Sequence, residues 1–449
     1  MSTTKRMWSV IWLHALLAMV VSGKTLRKQK VCVIGAGGAG LAMIKELASY
    51  PNDFEPIGFE LNADIGGLWI YTDNGDLNEH GLPTRSAVYK NLRTNAPRVL
   101  MAFPDYQTFG GENRSCVKHE TVLNYLHNYT EHFNFRSHIR FDTFVEKITR
   151  VEEDDWETTR WNIHAKDLNT DRSYVTTCDV VIIGNGGNFK PKIPVIPGIE
   201  GFRGQIIHSH GYRRPEDYAN KTVVLLGAGT SGIDIAIDLS PYAKKIYLSH
   251  RHDKIEGKWP KNVIQVSGVV KAKGNQLELQ NGSTIFGDSF IYCTGYMLDF
   301  PFLDESTDIT FTDKYVEPLY EHMINAYHPT MMFLGLPTGY VITFSVYHIQ
   351  AKYYAAFLRG KVQLPSLAER LKDAEIPEGE PRDHRLKEGQ WAYYKRLADA
   401  GGFETLPDFY REGLAVWRIN QQADWPHFKD NDMVLEDGKF VIKYPKRNA

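Results

Sequence analysis

Two stretches of the chain repeat one pattern, in which an apolar strand runs into a glycine-rich turn and then into a helix. The first is Lys30-Val-Cys-Val-Ile-Gly-Ala-Gly-Gly-Ala-Gly40, and the second is Thr222-Val-Val-Leu-Leu-Gly-Ala-Gly-Thr-Ser-Gly232. In such a turn the first glycine bends the chain, the second lets the backbone approach a pyrophosphate, and the third allows the helix to pack closely on the strand. The start of the helix offers unpaired N–H groups to the phosphates. The sequence therefore predicts two dinucleotide-binding units.

The residue that ends the next strand distinguishes the two units. In the first unit Glu60 follows Gly40 by twenty residues, at the place where a carboxylate accepts hydrogen bonds from ribose hydroxyls. In the second unit Ser249 and Arg251 hold the equivalent place. A guanidinium there can bind a 2′-phosphate, which a carboxylate would repel. We predict FAD in the first unit and NADPH in the second, with a merely solvated arginine as the alternative at Arg251.

The order of these units predicts the fold class. Two further apolar strands, Asp179–Gly187 and Asp288–Tyr296, lie before and after the second unit, and the proline-rich stretch Lys190–Gly201 is typical of a connector. We predict an α/β protein with two Rossmann-like dinucleotide-binding domains, the NADP domain being inserted into the FAD domain. The predicted FAD domain comprises residues 24–205 and 290–449, ending in a helical, aromatic-rich region. The predicted NADP domain comprises residues 206–289.

The N-terminus has the pattern of a secretory signal peptide. Two basic residues precede an apolar run from Met7 to Val21, and small residues follow up to Gly23. This run is shorter than the roughly 20 residues that span a bilayer, although an uncleaved anchor or a buried helix is an alternative. We predict that 1–23 is cleaved near Gly23 and that the mature chain is secreted and soluble, without a membrane anchor. Four glycosylation sequons agree with secretion: Asn113, Asn128, Asn220 and Asn281.

The charge, the cysteines and the absence of two motifs exclude some classes of partner and of reaction. A formal net charge of −2 leaves no basic excess to bind nucleic acid. The four cysteines predict no disulfide framework, because Cys32 and Cys293 fall in buried strands and only Cys116 and Cys178 are expected to be partly accessible. Neither a Gly-x-Ser-x-Gly elbow nor a Cys-x-x-Cys pair occurs. No protein nucleophile is apparent, a disulfide reductase is disfavoured, and we predict no metal site.

At these motifs the chain resembles the flavin-containing monooxygenases. The identifying string of that family is Phe-x-Gly-x-x-x-His-x-x-x-Tyr/Phe followed by Lys or Arg, and it is complete here as Phe202, Gly204, His208, Tyr212 and Arg213. Five other segments are similar to family segments: Phe59–Trp69, Leu92–Pro97, Cys293–Tyr296, Tyr327–Gly335 and Ile349–Ala351.

The resemblance implies a reaction in which the cofactors carry the chemistry. NADPH reduces FAD, O2 adds to the flavin as a hydroperoxide, and a small-molecule nucleophile such as a tertiary amine or a sulfide takes one oxygen atom. Asn95 is the candidate catalytic residue, because its amide can donate a hydrogen bond at the flavin edge; a simple turn at Asn95–Pro97 is the alternative. The predicted cofactor-binding residues are Gly35, Ala36, Gly37, Gly38, Ala39, Gly40, Glu60, Leu68, Trp69, Thr94, Asn95, Val145, Gly227, Gly229, Thr230, Ser231, Gly232, Ser249 and Arg251.

A signal peptide followed by a soluble body is similar to the secreted insect branch of the family, which N-oxidises plant pyrrolizidine alkaloids. Two other functions stay open. Baeyer–Villiger monooxygenases carry a longer signature ending in Trp-Pro or Trp-Asp, whereas this chain has Ser209–Arg213; a secreted flavoprotein without turnover is the third reading. For His208 and Tyr212 both a packing and a chemical role stay open, and the aromatic C-terminal region is compatible with a homo-oligomer.

Overall fold

A computed structural model describes residues 27–73, 77–111, 114–152, 155–338, 342–386 and 389–445. The predicted signal peptide and the sequon at Asn113 lie outside these residues.

The first glycine motif belongs to a seven-stranded sheet. Its strand Gln29–Ile34 pairs in parallel with Phe54–Phe59 on one side and with Val180–Ile183, the central strand, on the other. Both neighbours are short and apolar, as expected for strands buried on two faces. The order across the sheet is Leu319–Tyr320, Ile324–Asn325, Met331–Phe333, Val180–Ile183, Gln29–Ile34, Phe54–Phe59 and Ile139–Arg140.

The second glycine motif belongs to a separate five-stranded sheet whose strands are all parallel. Its order is Val263–Ser267, Lys245–His250, Thr222–Leu226, Ser289–Tyr292 and Gln205–His208. The strand Ser289–Tyr292 crosses the predicted boundary at 289 and lies beside Thr222–Leu226. The segments that precede Gln205 and follow Tyr292 in sequence both contribute strands to the seven-stranded sheet.

The remaining strands form small antiparallel sheets, and helices cover the parallel sheets. The small sheets consist of Thr143–Arg150, Trp161–Asp167 and Arg172–Cys178; Val269–Lys273, Gln276–Leu279 and Thr284–Phe286; Lys190–Pro191 and Tyr296–Met297; Thr310–Phe311 and Val316–Glu317; and Asp432–Glu436 and Lys439–Lys443. The α-helices are Gly38–Ala48, Arg98–Met101, His119–His132, Thr230–Leu239, Thr343–Leu358, Leu367–Ala374, Gly389–Gly401 and Asp408–Ala423.

The C-terminal helices share a core with the first glycine motif. Buried Tyr393 and Trp417 belong to the same apolar cluster as Val31 and Leu41. This cluster places the last helices beside the first nucleotide unit, far from them in sequence. In the described part of the chain, no helix is long and apolar enough to cross a membrane.

The third glycine of each motif sets the distance between helix and strand. A Cβ atom at Gly40 would lie 1.8 Å from the carbonyl oxygen of Gly35, and one at Gly232 would lie 1.9 Å from that of Gly227. Gly35 and Gly227 themselves have positive φ angles of 98° and 109°, which side-chain-bearing residues rarely adopt. Each motif therefore needs glycine both to turn and to let the helix start against the turn.

The cysteine prediction is wrong in two respects. Cys178 and Cys116 are buried, with 1% and 0% exposure, and Cys178 forms a disulfide with Cys32. The reason is topological, because Cys178 lies two residues before Val180–Ile183, the strand that pairs with Gln29–Ile34, and this brings two distant cysteines side by side. Cys116 and Cys293 remain free and buried.

The third glycine provides a test of the packing. Gly40→Ala should lower the free energy of unfolding by at least the roughly 1–3 kcal/mol of an overpacked core, since a backbone carbonyl cannot rotate away. The melting temperature and the bound FAD per chain should both fall. Gly110→Ala is the matched control, because a Cβ there meets nothing within 4 Å. Equal melting temperatures for the two variants would contradict the close packing.

Candidate functional site

The two glycine turns open into one cavity of about 1580 Å³. Pockets for one small ligand usually have about 300–1,000 Å³, so this cavity is large enough for more than one. It is lined by sixteen of the predicted residues: Gly35, Gly37, Gly38, Ala39, Glu60, Leu68, Trp69, Thr94, Asn95, Val145, Gly227, Gly229, Thr230, Ser231, Ser249 and Arg251. The other three, Ala36, Gly40 and Gly232, are not among its lining residues; the two glycines provide the close packing described above.

Each glycine turn leads into a helix whose first N–H groups have no side-chain cap. The N-cap residues are Gly37 and Gly229, and neither helix has an acidic residue in its first turn. Uncapped N–H groups and the positive end of the helix dipole together bind phosphate. The backbone at both turns therefore fits a dinucleotide pyrophosphate.

Glu60 stands where the first unit would bind a ribose. Its buried carboxylate accepts hydrogen bonds from the Ala36 backbone N–H at 2.7 Å, and from the backbone and side-chain N–H groups of Asn62 at 3.0 and 2.7 Å. Burial raises the pKa of the Glu60 carboxyl, while these hydrogen bonds oppose that change. A carboxylate has about four acceptor positions. Three are used, so Glu60 has capacity for one ribose hydroxyl, where the sequence suggested two.

The loop before Trp69 packs directly on the first glycine turn. The Gly66 N–H donates to the Ala36 carbonyl at 3.0 Å, and a Cβ at Gly67 would lie 2.9 Å from the Cα of Gly37. Gly67 also has a positive φ of 55°. This contact holds Leu68 and Trp69 in the cavity wall.

Arg251 and Ser249 have different roles at the second site. Arg251 is exposed, lines the cavity, and has no hydrogen-bond or ion-pair partner among the described residues. Ser249 is fully buried, and its hydroxyl donates to the Ser267 carbonyl at 3.0 Å while accepting from the Val269 N–H. Because a hydroxyl has one proton to donate, Ser249 retains none for a phosphate. Arg251 is the available phosphate donor of this pair.

Asn95 lies in a loop of the first unit that lines the shared cavity. Thr94 and Arg98, on either side of it, donate backbone N–H groups to Val117 and Ser115 at 2.9 and 2.8 Å. The Thr94 hydroxyl donates to the Ala96 carbonyl at 2.9 Å, which closes a turn within the loop. The Asn95 side chain is exposed to the cavity, and its amide has no partner among the described residues. The structure therefore contains both features that the sequence suggested as alternatives here, a turn at Asn95 and a free amide that faces the cavity.

Two groups of cavity residues were missed by the sequence analysis. The first is Arg85, whose guanidinium lies 3.9 Å from the ring centroid of Phe189 and has no ion pair in the described chain. Burial lowers the pKa of Arg85, although Asp299 and Glu60 oppose that change. A desolvated cation beside the cavity suits an anionic ligand. No motif marked Arg85, because a lone arginine in a loop is not distinctive.

The second missed group comes from the C-terminal helix Asp408–Ala423 and the residues after it. The indole N–H of Trp417 donates to the Asn95 carbonyl at 2.9 Å. Lys429 forms an ion pair with Asp234 of the second unit and donates to the Arg93 carbonyl of the first. The cavity residues from this region are Leu414, Trp417, Arg418, Gln421 and Trp425. Their spacing predicted a helix, but spacing alone does not tell which face meets a cavity.

The signature segment ties the two units together. Buried Arg213 donates to the carbonyls of His210 and Ser86, and the Lys90 N–H donates back to the Arg213 carbonyl. The Tyr212 hydroxyl donates to Asp238 at 2.7 Å. The His208 Nδ1 accepts the His210 N–H, and burial lowers the pKa of His208 to about 4. Neither His208 nor Tyr212 is among the residues that line the cavity.

The model of one protein family, flavin-binding monooxygenase-like, matches residues 28–265 and 254–393. The chain belongs to this family. Its members use FAD and NADPH, which are therefore the cofactors that the two glycine turns serve. The predicted α/β fold with two Rossmann-like domains is confirmed by the solved structures below.

Relatives in plants and insects share this sequence. The chain is 34% identical to the flavin-containing monooxygenase FMO GS-OX3 of Arabidopsis thaliana, over 79% of either chain. It is 29% identical to the senecionine N-oxygenase of Tyria jacobaeae, over 98% of either chain. Among solved structures, the S-allyl-L-cysteine S-oxygenase of Allium sativum has a TM-score of 0.82 at 29% identity, covering 90% of this chain and 96% of that one.

A more distant structure shares the fold alone. The cyclohexanone monooxygenase of Rhodococcus, bound to NADP+, has a TM-score of 0.61 at 14% identity and covers 86% of this chain and 99% of that one.

Arg251 should select NADPH over NADH. A charge-assisted hydrogen bond contributes about 1.5–3 kcal/mol, so Arg251→Ala should lower kcat/KM for NADPH by roughly 10- to 150-fold. NADH lacks the 2′-phosphate and should be used equally well by both proteins. Lys245→Ala, at the other end of the same strand and about 20 Å away, is the control. A parallel fall for both cofactors would mean that Arg251 supports the fold instead.

Proposed function

We propose that this monooxygenase oxygenates a soft heteroatom, above all the tertiary amine nitrogen of a xenobiotic or a pyrrolizidine alkaloid. The observation that carries the proposal is the single cavity onto which both glycine turns and the free amide of Asn95 open. Overall, NADPH supplies two electrons and one hydrogen and the solvent supplies a proton, while one atom of O2 forms a bond to the nitrogen lone pair and the other atom leaves as water. The products are the N-oxide and NADP+.

The protein's part in this reaction is to bind, orient and exclude water. The glycine turns and Glu60 would hold FAD, which activates O2 when bound and reduced. Arg251 would hold the 2′-phosphate of NADPH, and Arg85 would meet an anionic part of a cofactor. The Asn95 amide would donate a hydrogen bond where the substrate, nicotinamide and flavin meet. The apolar side chains of Trp69 and Phe344 line the same cavity and would limit the entry of water.

The one thiol among the cavity-lining residues does not suit nucleophilic chemistry. Cys293 is buried, and burial raises the pKa of its thiol to about 12. The thiolate, not the thiol, is the nucleophile, and at neutral pH Cys293 stays protonated. This supports a cofactor-borne reaction over a protein-thiol mechanism.

Oxygenation of sulfide sulfur is the second candidate. Amine oxidation is supported by the senecionine N-oxygenase, which aligns over 98% of both chains. Sulfur oxidation is supported by the garlic S-oxygenase, whose structure covers 90% of this chain. The two substrates differ in one chemical respect: protonation removes the lone pair of an amine, whereas a sulfide has no such equilibrium at ordinary pH. Amine turnover should therefore rise with pH up to the pKa of the amine, and sulfide turnover should not.

The purified, FAD-loaded chain tests this proposal when it is supplied with NADPH, O2 and a tertiary amine, a thioether or a cyclic ketone. We expect an N-oxide one oxygen atom heavier than the amine, with one NADPH consumed for each product. Sulfoxide alone would favour the second candidate, and ester formed from the ketone would favour a Baeyer–Villiger enzyme. Absence of NADPH-dependent O2 consumption with every substrate would overturn the proposal and leave a non-catalytic flavoprotein.

We also propose that the chain is secreted. Disulfides persist in oxidising compartments, so the Cys32–Cys178 bond supports the prediction from the N-terminus. The three sequon asparagines that the structure describes, Asn128, Asn220 and Asn281, are all exposed.

Secreted material should begin near Lys24 and lose mass when N-glycans are removed enzymatically. Thiol titration of the denatured protein should find Cys116 and Cys293 alone before reduction, and all four cysteines after it. An intact Met1 on membrane-bound protein, or four reactive thiols before reduction, would contradict secretion.

A further inference from the structure

We infer that Trp417 is a positioning residue for Asn95, so that the C-terminal helix is a working part of the oxygenation site. The inference rests on the proposed role of Asn95. It starts from one hydrogen bond, in which the indole N–H of Trp417 donates to the Asn95 carbonyl at 2.9 Å across 322 residues of sequence.

This hydrogen bond acts on a loop that backbone hydrogen bonds fix on both sides and that the Thr94 hydroxyl closes into a turn. The backbone N–H groups of Thr94 and Arg98 fix the loop on both sides of Asn95. Between these points, Trp417 fixes the carbonyl of Asn95 and with it the plane of the Asn95–Ala96 peptide. Because the Asn95 side chain and this peptide share the same Cα atom, a hydrogen bond that holds the carbonyl in place also limits how far the Cα, and with it the free amide, can shift.

The donor itself is rigidly held. Trp417 is 2% exposed, and its ring packs edge-on against Phe428 with 5.8 Å between centroids. Phe428 precedes Lys429, which contacts both Arg93 and Asp234. The Arg93 guanidinium in turn donates a hydrogen bond to the carboxylate of Asp430, the next residue, at 2.9 Å. The C-terminal segment therefore forms hydrogen bonds with the loop at two places, Arg93 and Asn95.

Tryptophan suits this position because its single N–H lies at the edge of a large apolar ring. Phenylalanine would retain most of the packing and lose the hydrogen bond. The Asn95 peptide would then be free to rotate while the fold stayed intact. The consequence would be a misdirected amide, seen as NADPH oxidation that yields hydrogen peroxide in place of oxygenated product.

The test is a double-mutant cycle on the full-length, FAD-loaded chain, with Trp417→Phe, Asn95→Leu and their combination. The loss of one hydrogen bond should lower product formed per NADPH by about 3- to 10-fold in Trp417→Phe. Asn95→Leu should lower it as much or more, and the combination should fall no further, because residues that act as a unit are not additive. KM for NADPH should stay the same in Trp417→Phe. Trp391→Phe, on the neighbouring helix and away from the cavity, is the control.

A second measurement does not depend on turnover. Hydrogen exchange of the backbone between Leu92 and Met101 should be faster in Trp417→Phe than in wild type or Trp391→Phe. Trp417→His, which retains a ring N–H, should restore part of the protection and part of the coupling. It also serves as the second variant should Trp417→Phe fold poorly.

The outcomes separate the inference from the proposed function. Unchanged loop exchange in Trp417→Phe, or losses in the cycle that simply multiply, would overturn the positioning role. A third outcome is faster loop exchange in Trp417→Phe together with unaltered product per NADPH in Asn95→Leu. Trp417 would then fix the loop while Asn95 had no part in the reaction, and this too would overturn the inference. No product from any substrate in the wild type would refute the proposed function, and loop exchange would still report on Trp417.

Discussion

The structure depends on the distance between two glycines in each nucleotide unit. Where Gly40 faces the carbonyl of Gly35, and Gly232 faces that of Gly227, an added carbon would have less than 2 Å of space. This approach allows each helix to start at the end of its strand, with its free N–H groups facing the cavity. The position of Glu60, the loop before Trp69 and the end of the strand at Arg251 all follow from it, since each packs on or beside one of these turns.

The other walls of the cavity are made by chain far away in sequence. The loop of Asn95 is held on one side by Val117 and Ser115 and on the other by Trp417 and Lys429. Lys429 also contacts Asp234 on the helix of the second unit. The two nucleotide units are thus joined at three places: the connecting strands, the signature segment around Arg213, and the C-terminal residues.

Local chemistry explains what the sequence predicted. The glycine turns, the acid at Glu60 and the cation at Arg251 could be predicted because the residues that define each of these features lie within one strand–turn–helix unit. Contacts between distant segments could not. Cys178 looked accessible because nothing nearby in sequence shows that its strand lies beside Cys32. Ser249 looked like a phosphate ligand because the partners of its hydroxyl, Ser267 and Val269, lie on two other strands. Trp417 fell within a predicted helix, but its partner lies 322 residues earlier.

The chain order of the cavity wall has a consequence for biosynthesis. Both glycine turns and the Asn95 loop precede the C-terminal helix, which lies in the last tenth of the sequence. Because this helix shares a core with the first glycine motif, the wall that carries Trp417 and Trp425 can pack only after residue 425 has been synthesised. The first nucleotide unit therefore lacks part of its core, and the cavity part of its wall, until nearly the whole sequence has been added.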